Sequence, residues 1–191
     1  MKDIHFYSGR MGNEMFRDAY IYTQWRKGLI PDVYLQDEKY FKEYAEEIKE
    51  RYRDGIGFIP RVGIHVRRGG NPTNVDEPNY SDNPFYIDLC ATDYYEKAMK
   101  LFPNGKFIIF SDDTEFCKKR FPGMQVVEGG TELEDFNQLA SCEHQIIANS
   151  SFSWWAAYLN PHPNKKVIAP KEWFADGDNS RIGIPKTWKL L

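Results

Sequence analysis

Three cysteines in 191 residues, Cys90, Cys117 and Cys142, are odd in number and far apart. They supply neither a disulfide framework nor a CxxC metal or redox pair, and they read as small buried hydrophobes. No apolar run approaches the roughly 18 to 20 residues of a membrane helix, and the opening MKDIHFYSGRMG has no long apolar stretch to act as a signal peptide. No transmembrane segment is expected, and the chain reads as cytoplasmic. A basic excess is missing as well: 25 Lys and Arg stand against 28 Asp and Glu, a formal charge of −3. Binding nucleic acid through its phosphates needs clustered Lys and Arg, so no nucleic-acid partner is expected, although a local basic pocket stays open. Internal repeats and low-complexity tracts are absent too. What is there suffices for a core: 41% apolar and 16% aromatic residues, in a chain long enough for one domain or one and a fraction.

From about residue 60, short β-branched or aromatic runs alternate with helical patterns, which predicts βα units around a parallel sheet. Strands are predicted at 61–66, 106–110, 124–127, 144–148 and 166–169. One helix is predicted over 92–102 and another over 114–121, with Asp113 as its N-cap. A third follows Thr131, whose spacing to Glu134 is that of a capping box, and a fourth spans 151–159. Near-continuous apolar strands imply a sheet covered on both faces, hence a doubly wound α/β architecture. The first sixty residues read separately. A strand at 5–8, a glycine turn and a helix through Trp25 repeat the pattern of a phosphate-binding unit. Residues 37–53 carry Tyr40, Phe41, Tyr44, Ile48 and Tyr52 at the spacing of an amphipathic surface helix. Residues 69–89, crowded with Asn, Asp, Pro and Gly, read as a long loop of the functional or disordered kind.

Four segments carry chemistry. HVRRGG, 65–70, ends a predicted buried strand, where open α/β sheets bind ligands. Two arginines there are costly to bury without an anion, and alternation along the strand puts Arg67 on the side of His65, with Arg68 either assisting or holding the fold. ANSSFSWWAAYL, 148–159, takes a strand end into a helix start, where free amides and hydroxyls suit an anion but also suit ordinary serine capping. Trp154 and Trp155 read as core. GRMGNEMF, 9–16, has glycines that permit a close backbone approach to a ligand. FSDDTE, 110–115, offers one Asp to cap the next helix, assigned to Asp113, and leaves Asp112 to accept from a nucleobase edge or, more weakly, to bind a cation.

In this order the segments resemble the α-1,2-fucosyltransferase family, whose members transfer fucose from GDP-fucose to a sugar hydroxyl with inversion. GRMGNEMF is similar to the family's GGLGNQMF and IHVRRGG to its HVRRGD. DYYEKAM, FSDD, EDFNQLASCEHQIIANSSFSWWAAYLN and KVIAPKEWF also have counterparts, so the resemblance covers 4–54 in patches and 61–174 closely. Where positions match, the resemblance implies that Arg67 contacts the donor's β-phosphate and that His65 lies in the donor pocket. It implies that Gly9, Gly12 and Asn13 close over the pyrophosphate, that Asp112 reads guanine, and that Ser150, Ser151 and Phe152 line the phosphate and base site. The implied fold is a two-lobed GT-B glycosyltransferase, with a Rossmann-like GDP-sugar-binding domain over 61–191. The N-terminal acceptor lobe is much reduced within 1–60, because only about two dozen residues separate the glycine segment from DEKYFK. Gly70 stands where the family has Asp, Glu14 replaces Gln, and 69–89 lacks the family's usual histidine.

The expected reaction moves fucose from GDP-fucose to a hydroxyl of a glycan acceptor, a galactoside through an α-1,2 linkage, with no metal. Charge growing on the leaving phosphate is met by Arg67, the helix start at Ser151 and the glycine-segment amides. Glu14, Asp76 and Asp82 are general-base candidates by location alone. Three alternatives stay open: a non-catalytic GDP or GDP-sugar-binding protein, a transferase using a different GDP-sugar, and a homo-oligomer that completes its cleft by self-association.

Overall fold

A computed structural model describes residues 11–27, 37–71, 74–79 and 86–191, with the backbone alone for Asn13, Glu14, Trp25 and the described residues of 70–79. Eight strands are described: β1 (Ile59–Val66), β2 (Gly69–Asn71), β3 (Asn74–Asn79), β4 (Phe107–Ser111), β5 (Gln125–Val126), β6 (Cys142–Ile146), β7 (Val167–Ala169) and β8 (Lys189–Leu190). β2 and β3 form an antiparallel ribbon, and the other six form one parallel sheet in the order β5-β4-β1-β6-β7-β8. The chain thus builds one half of the sheet outward from β1, returns, and builds the other half from β6. This is the Rossmann-like order, and its topological switch point lies between β1 and β6.

The helices are α1 (Met11–Arg26), α2 (Ala45–Tyr52), α3 (Tyr94–Met99), α4 (Thr114–Arg120), α5 (Glu132–Ser141) and α6 (Ser151–Leu159). Local chemistry starts several of them. Asp113 accepts the Phe116 N–H at 2.9 Å to open α4. Thr131 and Glu134 exchange hydrogen bonds, Glu134 N–H to Thr131 Oγ1 at 3.2 Å and Thr131 N–H to Glu134 Oε2 at 2.7 Å, to open α5. Both donors would otherwise be orphaned at a helix end.

Each face of the sheet has its own core. α1, α5 and α6 cover one face with Phe16, Phe41, Trp154 and Trp155, whereas Tyr94, Tyr95, Phe102, Cys117 and Phe121 cover the other. Trp154 and Trp155 are fully buried, as core residues should be. Phe16 of α1 lies 4.5 Å from the Trp154 ring and 4.9 Å from that of Trp155, and Phe41 stacks on Trp155 at 5.4 Å. Such aromatic clusters contribute on the order of 1 kcal/mol per pair beyond area burial, so α1 and Phe41 are anchored on α6.

The structure departs from the sequence reading in particular places. Residues 37–53 are not one helix: two 3₁₀ turns, Glu38–Tyr40 and Lys42–Tyr44, precede α2. Phe41, at φ −134°, breaks the spiral and sends its ring into the core. β6 begins at Cys142, two residues early, because α5 runs into it without a loop. The segment read as a loop contains the β2–β3 ribbon, and β8 was not anticipated. The strand expected at 5–8 lies outside the described residues.

Candidate active site

The C-terminal ends of β1, β4 and β6 meet at the switch point. Along β1, Val62, Ile64 and Val66 face the α3–α4 core, while Gly63 packs on Leu139 and Cys142 and His65 stacks on Phe152 of α6. Alternation therefore turns Arg67 and Arg68 to opposite sides. Arg67 Nη1 donates to Asp112 Oδ2 at 2.5 Å, just past β4, and Asp112 Oδ1 accepts the Arg68 backbone N–H at 2.9 Å. Arg68 Nη1 contacts both oxygens of Asp88, at 3.0 and 2.9 Å, and its guanidinium lies 4.0 Å from the Phe116 ring centroid. Asp88 also accepts the Cys90 N–H at 2.9 Å, capping a 3₁₀ turn at Leu89–Ala91. Arg68 is thus a strut between β1, α4 and that turn. The chain reverses immediately after it at Gly69, whose φ of +72° favours glycine.

His65 is buried, its carbonyl accepting the Tyr95 hydroxyl at 3.0 Å and its ring 5.1 Å from Phe152. Nδ1 is buried with no hydrogen-bond partner among the described residues. Burial, and then the neighbouring Arg67 charge, push its pKa down to about 3. The ring is therefore neutral near pH 7 and can offer one N–H and one lone pair, not a charge.

α6 opens without a side-chain cap. Ser150 is extended and makes no capping bond, while the Ser153 hydroxyl turns back to accept the Ala148 N–H at 3.2 Å. The helix start is met instead by α1. A Cβ on Gly12 would lie 2.6 Å from the Phe152 backbone N and 2.7 Å from Ser151 Oγ, so only glycine permits this contact. Gly12 and Asn13 lie within α1, and Gly9 lies outside the described residues. The positive end of the α6 dipole therefore lies beside His65, which stacks on Phe152.

Of the residues the sequence singled out, Arg67, His65, Asp112, Gly12, Ser150, Ser151 and Phe152 come together, and Arg68 turns away. The side chains of Asn13, Glu14 and Asp76 are not described, and Asp82 lies outside the described residues. Two residues escaped sequence reasoning. Asp135, in the first turn of α5, reads as an ordinary helix-start acid, yet its Oδ1 is buried with no partner among the described residues, and burial raises its pKa. Its neighbour Phe136 packs edge-on against Phe152 at 5.4 Å. Asn149 is buried and donates to the carbonyls of Ile87 at 2.9 Å and Trp173 at 3.0 Å, tying two distant segments to the end of β6. Its position before the serine cluster was the available signal.

Residues 32–182 match the model of glycosyl transferase family 11. The chain belongs to that family. It is 32% identical over 187 residues to an α-1,2-colitosyltransferase of Escherichia coli, covering 85% of this chain and 62% of that protein. It is 35% identical over 132 residues to the O-antigen biosynthesis glycosyltransferase WbnK of Escherichia coli, covering 63% and 41%. A galactoside α-(1,2)-fucosyltransferase 2 of Rattus norvegicus is 30% identical over 109 residues, covering 51% and 29%. The chain thus spans less than two thirds of the length of each of these relatives. Among the described residues, no helix is long and apolar enough to cross a membrane.

Proposed function

We propose that the crevice between β1 and β6 binds a GDP-linked deoxyhexose, with GDP-fucose the leading donor, and that the protein transfers the sugar to a hydroxyl of a glycan acceptor. The observation that carries this reading is the convergence of Arg67 and His65 with the start of α6 on one switch point. Loss of GDP places negative charge on the β-phosphate, and donors fixed in advance at that position lower the barrier more than donors that must reorganise. The α6 amides are fixed by the helix. Arg67 is held ready by Asp112, which shares the guanidinium with an arriving phosphate rather than releasing it into solvent. His65, neutral and wedged against Phe152, orients the ring beside the phosphate and contributes at most a neutral hydrogen bond. A single in-line attack by the acceptor hydroxyl gives inversion. The positive charge from Arg67 and the start of α6 is our reason for expecting no metal requirement.

The base-reading role inferred for Asp112 competes with its two bonds to Arg67 and Arg68, which occupy both oxygens. We therefore assign guanine recognition to Asp135 as a second reading, favoured by its unpartnered Oδ1. We also read 61–191 as the donor domain of a GT-B arrangement and the first sixty residues as a reduced acceptor lobe.

The deciding experiment incubates the protein with GDP-fucose, with and without a panel of β-galactosides, in EDTA and in Mg²⁺, and follows GDP release. Acceptor-stimulated release that persists in EDTA is expected. Thermal protection by GDP without any release would support a binding protein instead.

A further inference from the structure

The β7–β8 edge of the sheet carries three lysines, Lys165, Lys166 and Lys189, and the strand geometry divides them between the two faces. Ile168 packs with Phe102 in the core on the α3 side, whereas Val167 packs on the α6 side. Lys189 is the register partner of Ile168, and partners in a sheet face the same way, so Lys189 lies on the α3 side. Lys166 stands two residues before Ile168, and its carbonyl still takes a ladder bond from the Gln145 N–H at 3.0 Å, so alternation gives it that side as well. Lys165 takes the opposite side. There its Nζ donates to the carbonyls of Ala157 and Asn160, both at 2.7 Å, and caps the C-terminal end of α6.

On the α3 side, Lys166 and Lys189 line a cavity of about 320 Å³, with Thr187 adding a hydroxyl. Leu101 and Phe102 supply an apolar wall, and the Phe102 ring is backed by His144 with centroids 5.3 Å apart. Phe102 is buried, while Lys166, Thr187 and Lys189 are exposed. Among the described residues no carboxylate lines this cavity, and neither Lys166 nor Lys189 has an ion pair. That stands against a chain whose overall charge is −3. Like charges held on neighbouring strands repel, and one anion between them removes the repulsion. The volume falls at the lower end of the roughly 300–1,000 Å³ of small-molecule sites. Lys166 lies at the N-terminal end of its strand, so the cavity opens at the end of the sheet opposite to Arg67 and the start of α6.

We propose that this cavity is a second binding site, for a sugar phosphate, in which Lys166 and Lys189 hold the phosphate, Thr187 adds a hydrogen bond and the sugar ring lies against Leu101 and Phe102. Ammonium groups on flexible stems suit a compact multivalent anion, and charge-assisted bonds to it are the strong ones. The apolar wall gains by exchanging water for the C–H face of a ring. A bare phosphate uses only the first of these and a neutral sugar only the second, so the two together fit the whole cavity. The site is independent of what the crevice between β1 and β6 binds.

Amide chemical-shift titrations of the full isotope-labelled chain with glucose 1-phosphate, inorganic phosphate and glucose test this. Glucose 1-phosphate should shift the amides of Val167, Ile168 and Lys189 and bind about tenfold more tightly than either of the other two. Its affinity should fall about tenfold in the double variant Lys166→Gln, Lys189→Gln, the scale of a lost charge-assisted hydrogen bond. It should stay within about threefold when both lysines become arginine, and in Lys171→Gln, an exposed lysine just past the far end of β7. Both cavity lysines are exposed, and the amide spectrum itself reports whether each variant is folded. Unchanged affinity in the double glutamine variant overturns the site, and an equal loss in Lys171→Gln overturns it as general charge screening. Equal affinity for inorganic phosphate removes the sugar and overturns the proposal as stated. Arg67→Ala should leave this binding unchanged whatever it does to GDP, and a loss there would put the phosphate in the crevice and refute a second site.

Discussion

At the end of β1, positive charge is carried by long side chains that already have acidic partners, Arg67 with Asp112 and Arg68 with Asp88. Across the crevice, at the start of α6, it is carried by backbone amides held in place by the helix and by the approach of Gly12. The first wall adapts, because an ion pair can be shared or redirected when an anion arrives. The second wall cannot move without unpacking α1 from α6. A transferase needs both, a fixed cradle for the phosphate and a charge that strengthens its grip as the leaving group develops. The comparison also separates two neighbouring arginines that look equivalent in sequence, since only Arg67 shares a side with His65.

Breaking the adaptable wall should have the largest effect. Arg67→Ala is expected to lower GDP release from GDP-fucose in the presence of acceptor by about 10²–10³-fold, on the scale of a lost oxyanion donor. The fold should survive, because Asp112 keeps the Arg68 N–H and lies at the edge of the site. Steady-state kinetics with circular dichroism check both statements, and near-normal turnover in a folded variant would remove Arg67 from the mechanism.

Breaking the fixed wall should cost stability and binding together. In Gly12→Ala the new methyl meets backbone atoms of Ser151 and Phe152 at 2.6 Å, which no side-chain rotation can relieve. The two helices must separate, at about 1–3 kcal/mol in urea unfolding, with weaker GDP binding by calorimetry. A variant of unchanged stability that binds GDP normally would show that the contact of α1 with the start of α6 does not shape the site.

How much of this was legible in the sequence differs between the same two walls. The α6 boundaries at Ser151 and Leu159, the Asp113 cap and the Thr131–Glu134 box are local chemistry, and they stand where the residues placed them. Alternation along β1 separated Arg67 from Arg68 correctly in space. Gly12 stands in a helix-to-helix contact with a residue 139 positions away, and in sequence such a glycine looks the same as one needed for a turn. Phe41 misled: its helical spacing was real, but the pull of the Trp155 face broke the spiral. Contacts such as Tyr86 with Phe174, stitched by Asn149, arise only when distant segments meet, and no local pattern announces them.

Sharpening the contrast between the two arginines calls for Arg68→Met. Loss of the strut leaves Asp88 without its guanidinium, so a stability loss of about 1–3 kcal/mol is expected, while GDP affinity changes by less than about threefold. A large drop in affinity with unchanged stability would return Arg68 to the donor site.

The smallest expected effect probes the neutral ring between the walls. The folded-state pKa of His65 is depressed to about 3, below the 6.5 of an exposed histidine. Between those values the unfolded chain binds a proton that the native protein does not, so stability rises with pH across this window and falls as pH drops from 6.5 towards 3. The loss by pH 5.5 should be on the order of 1 kcal/mol, since a full pH unit is about 1.4 kcal/mol per group. Urea unfolding at pH 7.5, 6.5 and 5.5 reads this slope, and His65→Gln should flatten it. If the slope persists in that variant, it belongs to another group that titrates in this range, such as Lys165, whose pKa burial lowers to about 7, and the imidazole is not the group held neutral. If it vanishes while GDP affinity remains, His65 serves as a wedge under Phe152. Loss of both would make its N–H part of the phosphate cradle.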